Sequence, residues 1–369
     1  MAGTGRGCRG AGAILPLTVM SVGFPLAKVS PQTAGGAEQV LLRLDRALVC
    51  RGHRSIVMAP AGSRCHGLLI PVQVPGGSLD EQAKGEARRT FKRSLEHALA
   101  CFSIDLVHMH GLDFDHYLPE QQDVPVVVSL HLPLSWYQEG ALRPSRPNTA
   151  LVCVSETQRA SAAPAVPIAA VVPNGVDVED FRSSRRKGSY ALVLGRICAE
   201  KAPHLAIEAA ERAHIEVLLA GTVFPYPEHR QYFDTMVRPR LGPNVRFLGA
   251  VGFGRKAQLL AGAKCLLIPS QAPETSSLVA MEAIAAGTPV IAWRSGALPE
   301  IVSDGRTGFI VSSVEEMAYA IRRAAMIPPE SCRREAQRRF DSESMISDYL
   351  ALYRSMAGAA NAPAALEVA

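Results

Sequence analysis

The sequence predicts an α/β protein of two similar doubly wound domains facing each other across a cleft. Three observations predict it. Short apolar runs alternate with helical patterns along the chain, as in parallel sheets covered by helices. The chain has 369 residues, enough for two domains of ordinary size. Around residues 181–188 the composition turns polar, charged and glycine-punctuated, which reads as a linker between two strand–helix series.

Residues 1–12 are expected to be a disordered extension and residues 13–186 the first domain. Arg6 and Arg9 ahead of the apolar stretch 13–20 imitate a secretion signal, but Pro16 interrupts the stretch and no clear cleavage site follows. Gly5-Arg-Gly7-Cys-Arg-Gly10 matches a dinucleotide-binding pattern in form only, because no strand precedes it and no good helix follows. Strands are expected at 18–24, 55–59, 105–110, 124–131, 150–155 and 169–173. Between the first two, residues 37–51 place Val40, Leu41, Leu44, Ala47 and Leu48 on one helical face, and Gly52 stops that helix.

The second domain is expected over 187–340, with strands at 190–194, 215–220, 245–249, 265–269, 289–292 and 309–311. Its helices fit at 202–213, 255–263, 277–286 and 314–325. A final helix over 341–357 follows, with a return to the first domain left open, and the Ala-rich residues 358–369 read as a disordered tail.

Composition narrows the function classes. With 39 basic and 34 acidic residues the net charge is +5, too mild to demand a nucleic-acid partner. The eight cysteines (Cys8, Cys50, Cys65, Cys101, Cys153, Cys198, Cys265, Cys332) form no CxxC pair and are expected to be buried reduced thiols of a cytoplasmic protein. No apolar stretch is long enough to span a bilayer. Arg88, Arg89, Lys92 and Arg93 cluster on one helix. They form either a solvated face or a contact for an anionic membrane surface or an acidic acceptor.

The segment from Pro273 carries the most information. Glu274 sits in a loop after an apolar strand, and Glu282 lies within the helix that follows, with Ser276 or Ser277 as its N-cap. Loops from strand ends to helix N-termini bind ligands in open α/β sheets, and their free amides favour anions. Glu274 reads as an acceptor for sugar hydroxyls and Glu282 as an acceptor for ribose hydroxyls. Gly195-Arg196-Ile-Cys-Ala-Glu200-Lys201 follows another strand. Cations at a helix N-terminus oppose its dipole, so an anionic ligand there would account for them.

These residues, with Gly287-Thr-Pro289-Val-Ile, Ser295-Gly296, Pro299-Glu300, Asp304-Gly305 and Thr307-Gly308, resemble the family-4 retaining glycosyltransferases of the GT-B fold. The resemblance covers about residues 18–325, and the two domains are then Rossmann-like. It implies a nucleotide-sugar donor in the second domain and a hydroxyl acceptor (glycan, lipid or small molecule) mostly in the first. The nucleotide sugar is a substrate, so no cofactor and no metal are implied. Arg196 and Lys201 resemble the family's diphosphate-binding pair, able to neutralise a leaving diphosphate without a metal. Gly35 and Gly36 match the glycine loop near the diphosphate, and Gly195 joins the donor side. His131 matches a histidine beside the anomeric carbon. His131, Arg196, Lys201 and Glu274 are therefore the catalytic candidates.

One departure stands out. Thr275-Ser276-Ser277 occupies the place of the family's Gly-Phe-Gly-like segment. The amides of Ser277, Leu278 and Val279 can still meet a phosphate or sugar oxygen. His110 and Asp113 are acceptor-side candidates. His108 and His110 share a strand face, but nothing at short spacing completes a metal set with them. Asp113-Phe-Asp115 imitates a DxD metal motif in the wrong domain for one. Asn174-Gly175-Val176-Asp177 resembles a hinge segment with turn chemistry. The alternative readings are another GT-B enzyme (a phosphorylase or nucleotide-sugar epimerase) and a nucleotide-sugar binder without catalysis.

Overall fold

The computed structural model of the chain describes residues 15–33, 35–74, 81–184 and 186–360. The expected N-terminal extension, its glycine motif and residues 361–369 of the expected tail lie outside them. Two parallel sheets form among the described residues. The first contains β1 (Thr18–Val22), β2 (Arg54–Pro60), β3 (Leu68–Val72), β4 (Leu106–Met109), β5 (Val126–Leu130), β6 (Thr149–Cys153) and β7 (Ile168–Val171), in the order β3-β2-β1-β4-β5-β6-β7. The second contains β8 (Tyr190–Leu194), β9 (Glu216–Ala220), β10 (Val245–Gly249), β11 (Cys265–Ile268), β12 (Val290–Trp293) and β13 (Gly308–Val311), in the order β10-β9-β8-β11-β12-β13.

Helices cover both sheets. They are α1 (Gly36–Cys50), α2 (Glu81–Cys101), α3 (Glu156–Ala160), α4 (Pro203–Arg212), α5 (Pro227–Tyr232), α6 (Phe253–Gly262), α7 (Leu278–Ala285), α8 (Leu298–Ile301), α9 (Val314–Arg323), α10 (Pro329–Arg339) and α11 (Ser342–Ala360). α1 buries the predicted face, and Gly52 at φ 77° turns the chain out of it. No helix among the described residues is long and apolar enough to cross a membrane.

The structure departs from the sequence reading at several places. β3 is an edge strand of apolar residues with Pro71 inside it, and a proline within a run argues against a strand when only the sequence is read. α10 is strongly polar, and its buried face of Cys332, Glu335 and Ala336 includes a charge, so it shows little apolar period. It is held by Arg333, which donates to the carbonyls of Val178, Phe181 and Ala285. α11 continues past Gly358 to Ala360. Cys50 and Cys101 are exposed, which corrects the expectation of uniformly buried thiols.

The two halves are laced together. Val176 donates to the Phe340 carbonyl at 2.8 Å, and Ser342 returns a bond to the Val176 carbonyl at 3.0 Å. A Cβ on Gly175 would lie 2.6 Å from Ser342 Cα, so only glycine lets the two crossings approach this closely. α11 then lies against the first sheet, where the Tyr353 hydroxyl is 2.6 Å from His108 Nδ1 and the Tyr349 hydroxyl 2.6 Å from Ser129 Oγ. One apolar cluster accordingly runs from Val19 and Leu44 through Phe181 and Tyr349 to Leu266 and Ala283.

Candidate active site

Both sheets reverse their strand progression once, at β1/β4 in the first and β8/β11 in the second. Loops leaving the carboxyl ends of the strands diverge at such points and open a crevice. The predicted residues fall on these loops. Gly35 and Gly36 follow β1, His110 and Asp113 follow β4, and His131 follows β5. Gly195, Arg196 and Lys201 follow β8, and Glu274 and Ser277 follow β11.

Two helix N-termini meet across the cleft. A Cβ on Gly36, the first residue of α1, would lie 3.7 Å from Leu278 Cδ1, the first residue of α7. Gly35 caps α1 without a side chain, and the Ser277 hydroxyl caps α7 by accepting from the Ala280 amide at 3.4 Å. First-turn amides have no carbonyl partner in their own helix, so both ends offer donors to an anion. At α1 the Glu38 carboxylate folds back over Gly35, buried, and burial raises its pKa against the bond from its own amide.

The loop after β8 is built for close approach. Gly221, after β9, would place a Cβ 1.7 Å from the Gly195 carbonyl oxygen, so the two loops pack backbone on backbone. Ala202 turns the chain at φ 46° just before α4. Lys201 Nζ is 2.5 Å from Glu274 Oε1, and the Ser270 hydroxyl donates to the same oxygen. The Arg196 side chain makes no ion pair or hydrogen bond with a described residue, so its fork is available.

Glu274 is fixed from behind. The Ala297 amide donates to its carbonyl at 2.6 Å, and a Cβ on Gly296 would sit 2.2 Å from that oxygen. Thr275 reaches across to the first domain, where its hydroxyl donates to the His131 carbonyl at 2.8 Å. Glu300 closes the same gap by accepting from the Thr157 amide at 2.5 Å.

Glu282 is not a surface charge. α7 is buried on nearly every side, and Glu282 keeps 3% of its side-chain surface. Lys256 of α6 pairs with it at 2.6 Å, and that ammonium lies 5.3 Å from the Phe253 ring centre. A buried carboxylate needs such a partner.

The histidines form a chain. His108 Nε2 is 2.8 Å from Ser129 Oγ, and His110 Nδ1 is 3.0 Å from His131 Nε2 with the rings 12° from parallel. Burial lowers the pKa of all three, that of His131 to about 4; the neighbouring rings lower those of His110 and His108 further. As pH falls below the ordinary value of 6.5, the unfolded chain takes up protons at these rings while the folded chain refuses them, down to about 4 at His131. Stability should therefore be complete above that ordinary value and drain as the solution is acidified. The slope is about 1.4 kcal/mol per pH unit for each ring in its window. Urea midpoints at neutral and mildly acidic pH check this, and His131→Asn should flatten the dependence.

Asp113 is buried, and both of its carboxylate oxygens have partners within the first domain. It accepts from Arg88 at 2.8 Å and from the Tyr117 hydroxyl at 3.0 Å. Lys92 pairs with Glu120 at 2.7 Å, so Arg89 and Arg93 remain the exposed members of the basic cluster without an ion pair among the described residues. Sequence reasoning missed Lys256, Gly221 and Ser270, and of its two N-cap candidates for α7 the structure uses Ser277 and not Ser276. Only Gly221, in an Ala-Gly-Thr step after a strand, left a readable signal. His110 Nε2 and Ser276 Oγ are buried on these loops with no hydrogen-bond partner among the described residues.

Two parallel-sheet α/β domains of seven and six strands are the architecture of the GT-B glycosyltransferases. The chain belongs to the group-1, family-4 glycosyltransferases: the model for Glycosyl transferases group 1 matches residues 188–326, and that for Glycosyltransferase Family 4 matches residues 34–180. It is 26% identical to the phosphatidyl-myo-inositol mannosyltransferase of Mycobacterium tuberculosis, over 88% of this chain and 94% of that one. It is 30% identical to the D-inositol 3-phosphate glycosyltransferase of Streptomyces scabiei, over 58% of each. The crystal structure of AviGT4, a glycosyltransferase involved in avilamycin A biosynthesis, superposes with a TM-score of 0.70 at 26% identity, covering 93% of this chain and 99% of that one.

Proposed function

We propose that this glycosyltransferase moves a hexosyl-type sugar from a nucleotide diphosphate donor to a hydroxyl acceptor with retention of configuration and with no metal on the diphosphate. The observation that carries this reading is the convergence of the α1 and α7 N-termini beside an unpaired Arg196 and the Lys201–Glu274 pair. In this reading the diphosphate lies on the amides of Leu278 and Val279 and between Arg196 and Lys201. Lys201 gives Glu274 one of its three donors and has two left for phosphate oxygens. Glu274 then faces the sugar hydroxyls, and Glu282, shared with Lys256, faces the ribose.

The chemistry needs no carboxylate nucleophile. The bond from the anomeric carbon to the phosphate oxygen breaks, and the acceptor oxygen bonds to that carbon on the same face. The acceptor proton passes to the departing phosphate oxygen, whose charge the two cations stabilise. His131, neutral at pH 7, borders the anomeric centre, and closure of the cleft through Thr275 and Glu300 excludes water. His110 belongs to the acceptor side. Arg89 and Arg93 give α2 a basic edge for peripheral contact at the inner face of the membrane, where a lipid-linked acceptor would be presented.

Thermal shift against a panel of nucleoside diphosphates and their sugars tests the reading. One base should raise the melting temperature by several degrees at saturating ligand. Two of the relatives are named for inositol acceptors, so inositol phosphate and phosphatidylinositol are the first acceptors to try. Absence of any nucleotide-dependent shift, with no transfer, would overturn the reading.

A further inference from the structure

A second cluster of chemistry lies on the far side of the loop that carries Arg196 and Lys201. Cys198 and Glu200 stand between those two cations in sequence, and His229 lies opposite them in α5. One ligand atom from each of the three residues falls within 4.8 Å of the others. Two of the polar atoms here, Glu200 Oε2 and His229 Nδ1, are buried with no hydrogen-bond partner among the described residues. Orphaned buried atoms are costly, and two aimed at one small volume call for an occupant.

The donor set says which occupant. A thiol sulfur, an imidazole nitrogen and a carboxylate oxygen are the ligand types of zinc, and magnesium or calcium would reject the sulfur. A tetrahedral zinc with bonds of about 2.0–2.3 Å holds its ligands about 3.3–3.8 Å apart, so side-chain shifts of about 1 Å complete the set. We propose that Cys198 Sγ, one Glu200 oxygen and His229 Nδ1 bind a tetrahedral zinc(II) ion, with a fourth position left for water.

The surroundings suit that role. The Cys198 thiol is in hydrogen-bond contact with Glu200, and its pKa is raised by burial and then by that carboxyl. Burial pushes the Glu200 carboxyl up, but its backbone bond, the thiol, His229 and Arg196 together bring it below the ordinary value. The thiol loses its proton to solvent when the metal–sulfur bond forms. Thiolate and carboxylate then neutralise the ion. The Glu200 carbonyl accepts from the Gln271 amide at 2.8 Å, so the bound loop is tied on its other side to the strand end leading to Glu274. The metal would clamp this loop to α5 and hold Arg196 and Lys201 in place. It is separate from the donor's diphosphate, and its binding does not depend on the transfer reaction.

Cobalt(II) is the probe, added to the full chain without nucleotide. The expected result is one equivalent bound, with a thiolate-to-cobalt charge-transfer band in the near ultraviolet that zinc(II) displaces. Cys198→Ser should lose the band, and His229→Ala should weaken binding by at least about tenfold. Cys101→Ser should keep the band; Cys101 Sγ and His97 Nε2, 3.6 Å apart on the exposed face of α2, form the competing cysteine–histidine pair. Glu200→Gln, at a half-exposed residue, is the variant least prone to misfold and should also bind more weakly. Zinc should raise the melting temperature of the wild type and not that of Cys198→Ser. A wild type with no thiolate band, or a band that survives Cys198→Ser or is lost in Cys101→Ser, would overturn the site.

Discussion

Lys201→Ala is expected to slow sugar transfer by about 10²–10³-fold, the usual cost of losing one preorganised donor aimed at developing charge. Its stability should change by only about 1–2 kcal/mol. The asymmetry follows from the geometry. Lys201 keeps 32% of its side-chain surface, and among the described residues its one ion pair is with Glu274, which retains the Ser270 hydroxyl when the ammonium is gone. The leaving diphosphate has no such substitute. Turnover at saturating donor and the urea midpoint separate the two effects. Arg196→Ala should behave alike with an even smaller stability change, because its guanidinium makes no ion pair or hydrogen bond with a described residue and acts on Glu200 only through its charge. Transfer by Lys201→Ala within tenfold of the wild type would remove the phosphate role.

Glu282→Ala is expected to act the other way round, costing about 3–5 kcal/mol of stability before any effect on the nucleotide is felt. Removing the carboxylate leaves Lys256, only 16% exposed, as a buried cation with two aromatic rings for company. Weak nucleotide binding by that variant would therefore carry little information about ribose. The double variant Glu282→Gln with Lys256→Met removes both charges, so urea unfolding should show most of the stability restored. Calorimetry should still show nucleoside diphosphate binding weakened by at least tenfold, about 1.4 kcal/mol. Wild-type affinity in the double variant would assign Glu282 to the fold alone.

The contrast between these glutamates shows how far the sequence could be read. Glu274 follows an apolar run and precedes a capped helix, and that local order places it at a strand's carboxyl end without any coordinates. Glu282 is local too, but its partner is not. Lys256 is 26 positions away on a polar stretch of α6, and no period or spacing links them. The same holds for Thr275. Its departure from the family pattern is plain in the chain, yet its bond to the His131 carbonyl spans 144 positions and two domains. β3 and α10 escaped for a related reason. β3 is an apolar run interrupted by Pro71 that pairs only at the sheet edge, and polar α10 is tied down by Arg333 contacts to remote carbonyls, so neither shows the pattern of a central element.

The sequence by itself determined the alternation of strands and helices, the two domains' common architecture and the loops that carry Gly35, His131, Arg196, Lys201 and Glu274. These follow from residue periodicity, glycine and capping chemistry, all of which act within a few positions along the chain. Only the tertiary structure decided that the α1 and α7 N-termini face one another, that Glu282 is paired with Lys256, and that Cys198, Glu200 and His229 converge. Those are matters of burial and charge pairing between segments remote in sequence. A buried charge or an unpartnered polar atom exists only once the chain has closed around it.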